Sequence, residues 1–326
     1  MLIKITDGSF WNYVDKLKRR CDFYSSLYEN HALEYYKVRP LDEGLSVEDR
    51  SFIICENDAP VFVFFGFVIQ GKGRKVLSIN DAPSSSFECE NISNGTKKLI
   101  KNHFKNEIFD YVDEIRYRDY YNGKVSFISD FFMQHFSVPP QLKLSSIILL
   151  DNDYDLIRKS YRESYKNLIN KCKKEVKIIV YDSKSIDERL FWNFKDFHVI
   201  TAGRETRSNN TWNQQLEMIK FNKAFMVLGF NDQNELITGA IFYYNEFHCY
   251  YAVGVSNREM FDKPLLHGVM DEAIIKAKRL GCNIFELGDR EIKIDDKNPK
   301  LYNISHFKMG FRNATKGYLE FIFSPK

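Results

Sequence analysis

The stretch HCYYAVGVSNREMFDKPLLHGVMDEAIIKAKRLGCNIFELGD, residues 248–289, decides how the rest of the chain is read. It opens on a β-rich run, placed as a strand over 247–254, in which Tyr250 and Tyr251 point to opposite faces. A helix is predicted over 264–280. Pro264 suits a first helical position, Gly281 suits the residue after the end, and Leu266, Met270, Ala273, Ala277 and Leu280 fall on one face. The run CNIFELGD that follows reads as another strand.

Working outward, strands are expected at 224–230 and 235–244, with hairpin turns at FNDQNE and Asn245–Glu246. Three antiparallel strands therefore precede the helix. The first half repeats the order: strands at 51–56, 60–69 and 74–80, the loop DAPSSSFECENISNG, a helix over about 95–107, then the strand DEIRYRD. This repetition predicts an α+β fold of two related domains, 1–150 and 151–326, each a mainly antiparallel twisted sheet flanked by helices. Further helices are expected over 8–37, 124–136, 185–202 and 211–221, with β-like runs at LSSIILLD and 176–182. The stretch 153–174 reads as one amphipathic helix whose stripe is Ile157, Tyr161, Tyr165, Leu168, Ile169 and Cys172. Its basic residues are a solvated face or a phosphate-contacting surface.

Composition narrows the class. Of 326 residues, 44% are hydrophobic and 28% charged, as in soluble globular proteins. No apolar run reaches the roughly 18 residues of a membrane span. The start MLIKITDGSF does not read as a secretory signal, so a cytoplasmic location is expected. The six cysteines show no CxxC spacing, which points to neither a zinc site nor a disulfide framework, and no metal is expected. A net charge of +3 argues against a dedicated DNA binder.

Read in order, AGRETRSNNTW (202–212), the 248–289 stretch and ISHFKMGFR (304–312) resemble the Fem-like branch of the GNAT acyltransferase superfamily, over about residues 155–322. Before that the resemblance rests on element order and length. It implies two GNAT-like domains side by side with a cleft between them. The pair Phe307–Lys308 falls on the family's C-terminal Phe-Lys, whose lysine in tRNA-using members is implicated at the acyl-transfer centre, and Tyr250–Tyr251 falls on a cleft-lining strand. Two departures stand out. There is no coiled-coil arm, and GVSNREMFDKP replaces the glycine-rich loop that exposes amides to a pyrophosphate.

Acyl transfer to an amine needs a proton acceptor, a stabilised oxyanion and close reactants, but neither a metal nor a covalent nucleophile. Lys308 is the candidate cation for the oxyanion, or else a solvated lysine. Tyr251, close to the loop feeding the helix, is the candidate proton relay, or a core aromatic. Glu286 with Asp289 is the candidate base, and His267 another, with salt bridging or packing as their ordinary roles. Arg204 and Arg207 could grip a phosphate, with Trp212 stacking on a base and Phe307 lining the site. The same arginines could simply be helix-end charges, and Trp212 core.

The expected function is transfer of an acyl group, acetyl being the first expected, from acyl-CoA to the amino group of a nucleotide-linked amino sugar in bacterial surface-glycan biosynthesis. One alternative is an aminoacyl-tRNA-dependent transferase acting on a peptidoglycan precursor. The other is a catalytically silent binding module of the same fold.

Overall fold

Strand register, rather than sequence similarity, relates the two halves of the chain. The computed structural model describes all residues except Asp22, Asp81, Asn122, Phe261, 291–298 and 325–326. Asp81 and Phe261, both read from sequence as loop, thus lie outside the described residues. The chain forms two compact units: Met1–Tyr24, Leu33–Lys143 and Lys316–Lys326 in one, Ser25–Ala32 and Leu144–Thr315 in the other.

The first half runs β1 (Leu2–Lys4), α1 (Phe10–Lys18), a 3-10 turn (Ser26–Tyr28), α2 (Asn30–Asp42), β2 (Ser46–Asp49), β3 (Phe52–Glu56), β4 (Ala59–Phe65) and β5 (Phe67–Gly71). It continues with β6 (Arg74–Ser78), β7 (Ser84–Glu88), α3 (Asn94–His103), β8 (Glu114–Tyr121) and α4 (Phe127–Phe136). Antiparallel pairs link β1, β3, β4 and β7, and likewise β2, β5 and β6. Both β6 and β7 then run parallel to β8. The third strand of the repeat is therefore split in two, and its second piece was read from sequence as loop. Serines at 84–86 hide it. They have little strand propensity, yet Ser84 Oγ donates to the Arg116 carbonyl at 2.7 Å and Ser85 Oγ to that of Arg118 at 2.8 Å.

The second half runs β9 (Gln141–Leu149), α5 (Tyr154–Lys159), α6 (Glu163–Glu175), β10 (Lys177–Tyr181), α7 (Glu188–Ala202), α8 (Asn209–Lys220), β11 (Ala224–Phe230) and β12 (Leu236–Tyr244). Then come β13 (His248–Ser256), α9 (Leu265–Arg279), β14 (Ile284–Asp289) and α10 (Pro299–Phe311). Its sheet order is β10–β11–β12–β13–β14–β9, antiparallel except for the β13–β14 pair. The last strand, β15 (Ala314–Phe323), pairs with β8 of the first unit, just as β9 pairs with β14 of the second. Each unit thus takes the strand that follows the other half's last helix.

Two helical readings need correction. The span 8–37 is broken into α1, the 3-10 turn and α2, where Ser25 caps the turn by accepting from the Leu27 amide at 3.3 Å. The single helix over 153–174 is broken into α5 and α6, because the Arg162 amide donates to the Gly310 carbonyl at 2.8 Å instead of continuing the helix. The apolar stripe survives the break. Ile157, Tyr161, Tyr165, Ile169 and Cys172 are all buried. Except for Cys172, they share a core with Met270, Ala273 and Ala277 of α9 and with Phe225, Phe242 and Phe285 of the sheet.

Candidate active site

The parallel strands β13 and β14 pair at His248–Ile284, Cys249–Phe285 and Tyr250–Glu286. Beyond that point β13 continues against β12, while β14 continues against β9 through a register shift between Glu286 and Gly288. Gly288 has φ of +87°, a left-handed conformation that favours glycine. A Cβ there would lie 3.2 Å from Lys308 Nζ and 3.3 Å from Tyr250 Oη. The ammonium and the phenol therefore meet over bare backbone where the two strands part.

Lys308 is delivered by α10. Phe311 is fully buried and Phe307 partly so, both in the second unit's core. Their rings pack at 4.9 Å from Tyr165 (Phe311), 5.1 Å from His267 (Phe307) and 5.4 Å from each other. Gly310 has a different task from the backbone loosening its identity suggests. A Cβ at this position would overlap the Cε2–Cζ edge of the Tyr165 ring, so its absence permits the close approach of that tyrosine to α10. With the helix fixed, Lys308 Nζ reaches the Asp289 carbonyl at 3.4 Å. Burial pushes its ammonium pKa down, and the charges of Asp289 and Glu286 oppose that shift.

The strand alternation separates the two tyrosines as expected, and it is Tyr250 that shares Gly288 with Lys308. Tyr251 lies on the core face, its ring stacked on Phe242 at 5.6 Å and its hydroxyl over the Cα of Gly254. Burial pushes the Tyr251 phenol up. Glu286 is 2% exposed, and its two oxygens lie 2.7 Å from Ser145 Oγ and 3.0 Å from His248 Nε2. Asp289, by contrast, is exposed at the end of β14.

No family model matches the chain, and no curated protein matches it in sequence. Solved structures do. FemX aligns over 99% of this chain and 97% of its own, with 13% identity and a TM-score of 0.73. A tandem GNAT protein from the clavulanic acid biosynthesis pathway aligns over 100% and 98%, with 8% identity and a TM-score of 0.55. L-PGS from Bacillus licheniformis aligns over 90% and 91%, with 12% identity and a TM-score of 0.54. The fold is the one shared with FemX and with the tandem GNAT protein.

Three further candidates, Arg204, Arg207 and Trp212, have other described neighbours. Arg204 is exposed just beyond α7, which ends on left-handed Gly203. Arg207 lies over the Trp212 ring at 5.7 Å. Trp212 itself has no exposed surface and packs edge-on against Phe191, Phe194 and His198, so it cannot offer a face to a base. None of the described hydrogen bonds or ring contacts joins these three to Lys308. Among the described residues, no cluster of His, Cys, Asp and Glu is placed to hold a metal, and no helix is long and apolar enough to cross a membrane.

His267 stands in the aromatic cluster behind α10, 4.6 Å from the Tyr165 ring, with no hydrogen-bond partner for Nε2 among the described residues. Burial lowers its pKa to about 4. The unfolded chain takes up this proton near the ordinary value of 6.5, the folded chain only near 4, so stability is lost as pH falls through that window. We expect wild type to lose more stability than His267→Phe between those values, measured by urea unfolding at each pH. His198, lowered to about 4, shares the trend, and Glu88, raised to about 7, opposes it. The difference between wild type and variant isolates His267.

Proposed function

We propose that the protein is an N-acyltransferase that moves an acyl group from acyl-CoA to the amino group of a nucleotide-linked amino sugar, in the assembly of a bacterial surface glycan. The observation that carries the reading is the meeting of the Lys308 ammonium and the Tyr250 hydroxyl over Gly288. It lies where the paired strands diverge, in a fold shared with a tandem GNAT protein. The acceptor class rests on the resemblance carried by residues 202–212 and 304–312.

In this account the amine attacks the thioester carbonyl carbon, and the carbonyl oxygen gains negative charge beside Lys308. A fixed cation stabilises that oxygen more in the transition state than in the ground state. Tyr250 then gives its proton to the departing thiolate. Asp289, exposed at the rim, takes the proton released by the amine. Glu286 has both oxygens occupied and is a counter-charge rather than an open base.

The donor's phosphates would lie at the start of α9, where the N-cap residue Pro264 makes no side-chain cap. A cavity of about 340 Å³ opens there, lined by Lys174, Lys263, Met260 and Leu265, with Glu175 and Asp232 also in its wall. Lys263→Glu should raise KM for acyl-CoA by ~10-fold, the scale of ~1.4 kcal/mol, with kcat nearly unchanged. Thermal unfolding with added ligands tests the reading, because a ligand that binds the folded state raises Tm by mass action. Acyl-CoAs and nucleotide amino sugars should each raise it. A rise with aminoacyl-tRNA and none with any acyl-CoA would move the donor to the tRNA alternative.

A further inference from the structure

His248 lies behind the reacting groups, fully buried, yet both of its ring nitrogens are engaged. The main-chain amide of Ser26 donates to Nδ1 at 3.1 Å, and Ser26 Oγ lies 3.0 Å from the same atom. An amide N–H cannot accept, so Nδ1 carries the lone pair and the ring proton sits on Nε2. That proton is donated to Glu286 Oε2 at 3.0 Å, while Ser145 Oγ donates to Oε1 at 2.7 Å. The carboxylate is thereby satisfied as an acceptor at both oxygens, in a site where it is 2% exposed.

The segment that supplies Ser26 is clamped a second time. Asn245 Nδ2 donates to Glu29 Oε1 at 3.1 Å, and Asn245 Oδ1 accepts from the His248 amide at 2.8 Å. Ser25–Ala32 is an excursion of the N-terminal sequence into the second unit, and its contacts converge on one histidine. A buried ion is costly, and packing alone would be served as well by apolar side chains. The charge has a neighbour that uses it. Glu286 pairs with Tyr250 across the parallel strands, two residues before the Gly288 that Lys308 and Tyr250 both border, so its charge favours the Lys308 ammonium.

We propose, on the reading that acyl transfer takes place beside Lys308, that His248 is a positioning residue: its Nε2–H tautomer, fixed by Ser26, holds Glu286 as a permanent anion behind the Lys308 ammonium. Among the described residues, the charged and titratable groups facing that ammonium include Asp289 and Glu286 of β14 and Tyr250 of β13. On α10 itself His306 is turned to Arg162, the residue before α6, at 3.3 Å.

The test is the pH dependence of Lys308 labelling by fluorodinitrobenzene in the folded protein, read by peptide mass spectrometry. Removing the anion makes the ammonium easier to deprotonate, so Glu286→Gln should bring the labelling midpoint down. His248→Phe should act in the same direction. His248→Gln, whose amide can accept from Ser26 and donate to Glu286, should keep the wild-type midpoint. Glu286→Gln preserves shape and carries the test should His248→Phe fail to fold. Equal midpoints in wild type and Glu286→Gln overturn the proposal. Labelling needs no substrate, so failure of the acyltransferase reading would show as absent turnover with the midpoint shifts intact. Failure of the positioning role would show as turnover with unshifted midpoints.

Discussion

Replacing Lys308 by Met should leave a folded protein that binds its ligands and turns over roughly 100-fold more slowly or worse, the scale of losing one oxyanion donor. The size follows from position. Phe307 and Phe311 hold α10 in the core, so the ammonium has little freedom to miss its target. Its contact with the Asp289 carbonyl and its place over Gly288 put it where the strands part. A charge that acts on a developing oxyanion lowers kcat and kcat/KM together when removed, with KM little changed. Stability should not suffer, because burial already disfavours the ammonium. Arginine should rescue only in part, since its planar head cannot occupy the same point. Near-normal kcat in a purified, folded Lys308→Met protein would make this lysine an ordinary surface residue.

The second large effect is on stability. Gly310→Ala inside a helix ordinarily gains about 1 kcal/mol, because glycine is the poorer helix former. Here the sign should reverse. The added Cβ would overlap the Cε2–Cζ edge of the Tyr165 ring, and that ring is wedged between Phe311 and His267 in the core. Overpacking of this kind costs about 1–3 kcal/mol, occasionally more, and a clash with a buried ring belongs at the upper end. Urea unfolding of a double-mutant cycle separates the causes. In a Tyr165→Ala background the same Gly310→Ala change should become neutral or favourable, giving a coupling energy of at least about 2 kcal/mol. Additive effects would mean that Gly310 serves the helix backbone and not the ring.

Much of the fold was legible because periodicity survives without knowledge of contacts. The helix predicted over 264–280 is α9 to within a residue at either end, and its stripe is core. The repeated strand, helix, strand order was legible for the same reason. Features that depend on distant partners were not. The strand β7 is made of serines that bond across to β8, and the break between α5 and α6 is made by a carbonyl nearly 150 residues further on. Which tyrosine faces Lys308 depends on the parallel register of β13 and β14, which no local pattern contains. The alternation in FELGD did separate Glu286 from Phe285 and Leu287. Without the register it could not place Tyr250 and His248 on the carboxylate's side. The role of Ser26 was invisible from sequence, because it lies 222 residues from its partner. Trp212 was open for the opposite reason: an aromatic behind two arginines suits a stacking platform as well as a core, and only its complete burial decides for the core.

The most direct measurement of the central claim is a turnover assay by mass spectrometry. Purified protein is incubated with acetyl-CoA and a panel of nucleotide-linked amino sugars, and both products are followed. The account predicts that one or more of the amines is acylated, that free CoA appears in equal amount, and that Lys308→Met abolishes both signals. Acylation unaffected by Lys308→Met, or no acylation with any acyl-CoA by a protein that binds these ligands, would contradict it.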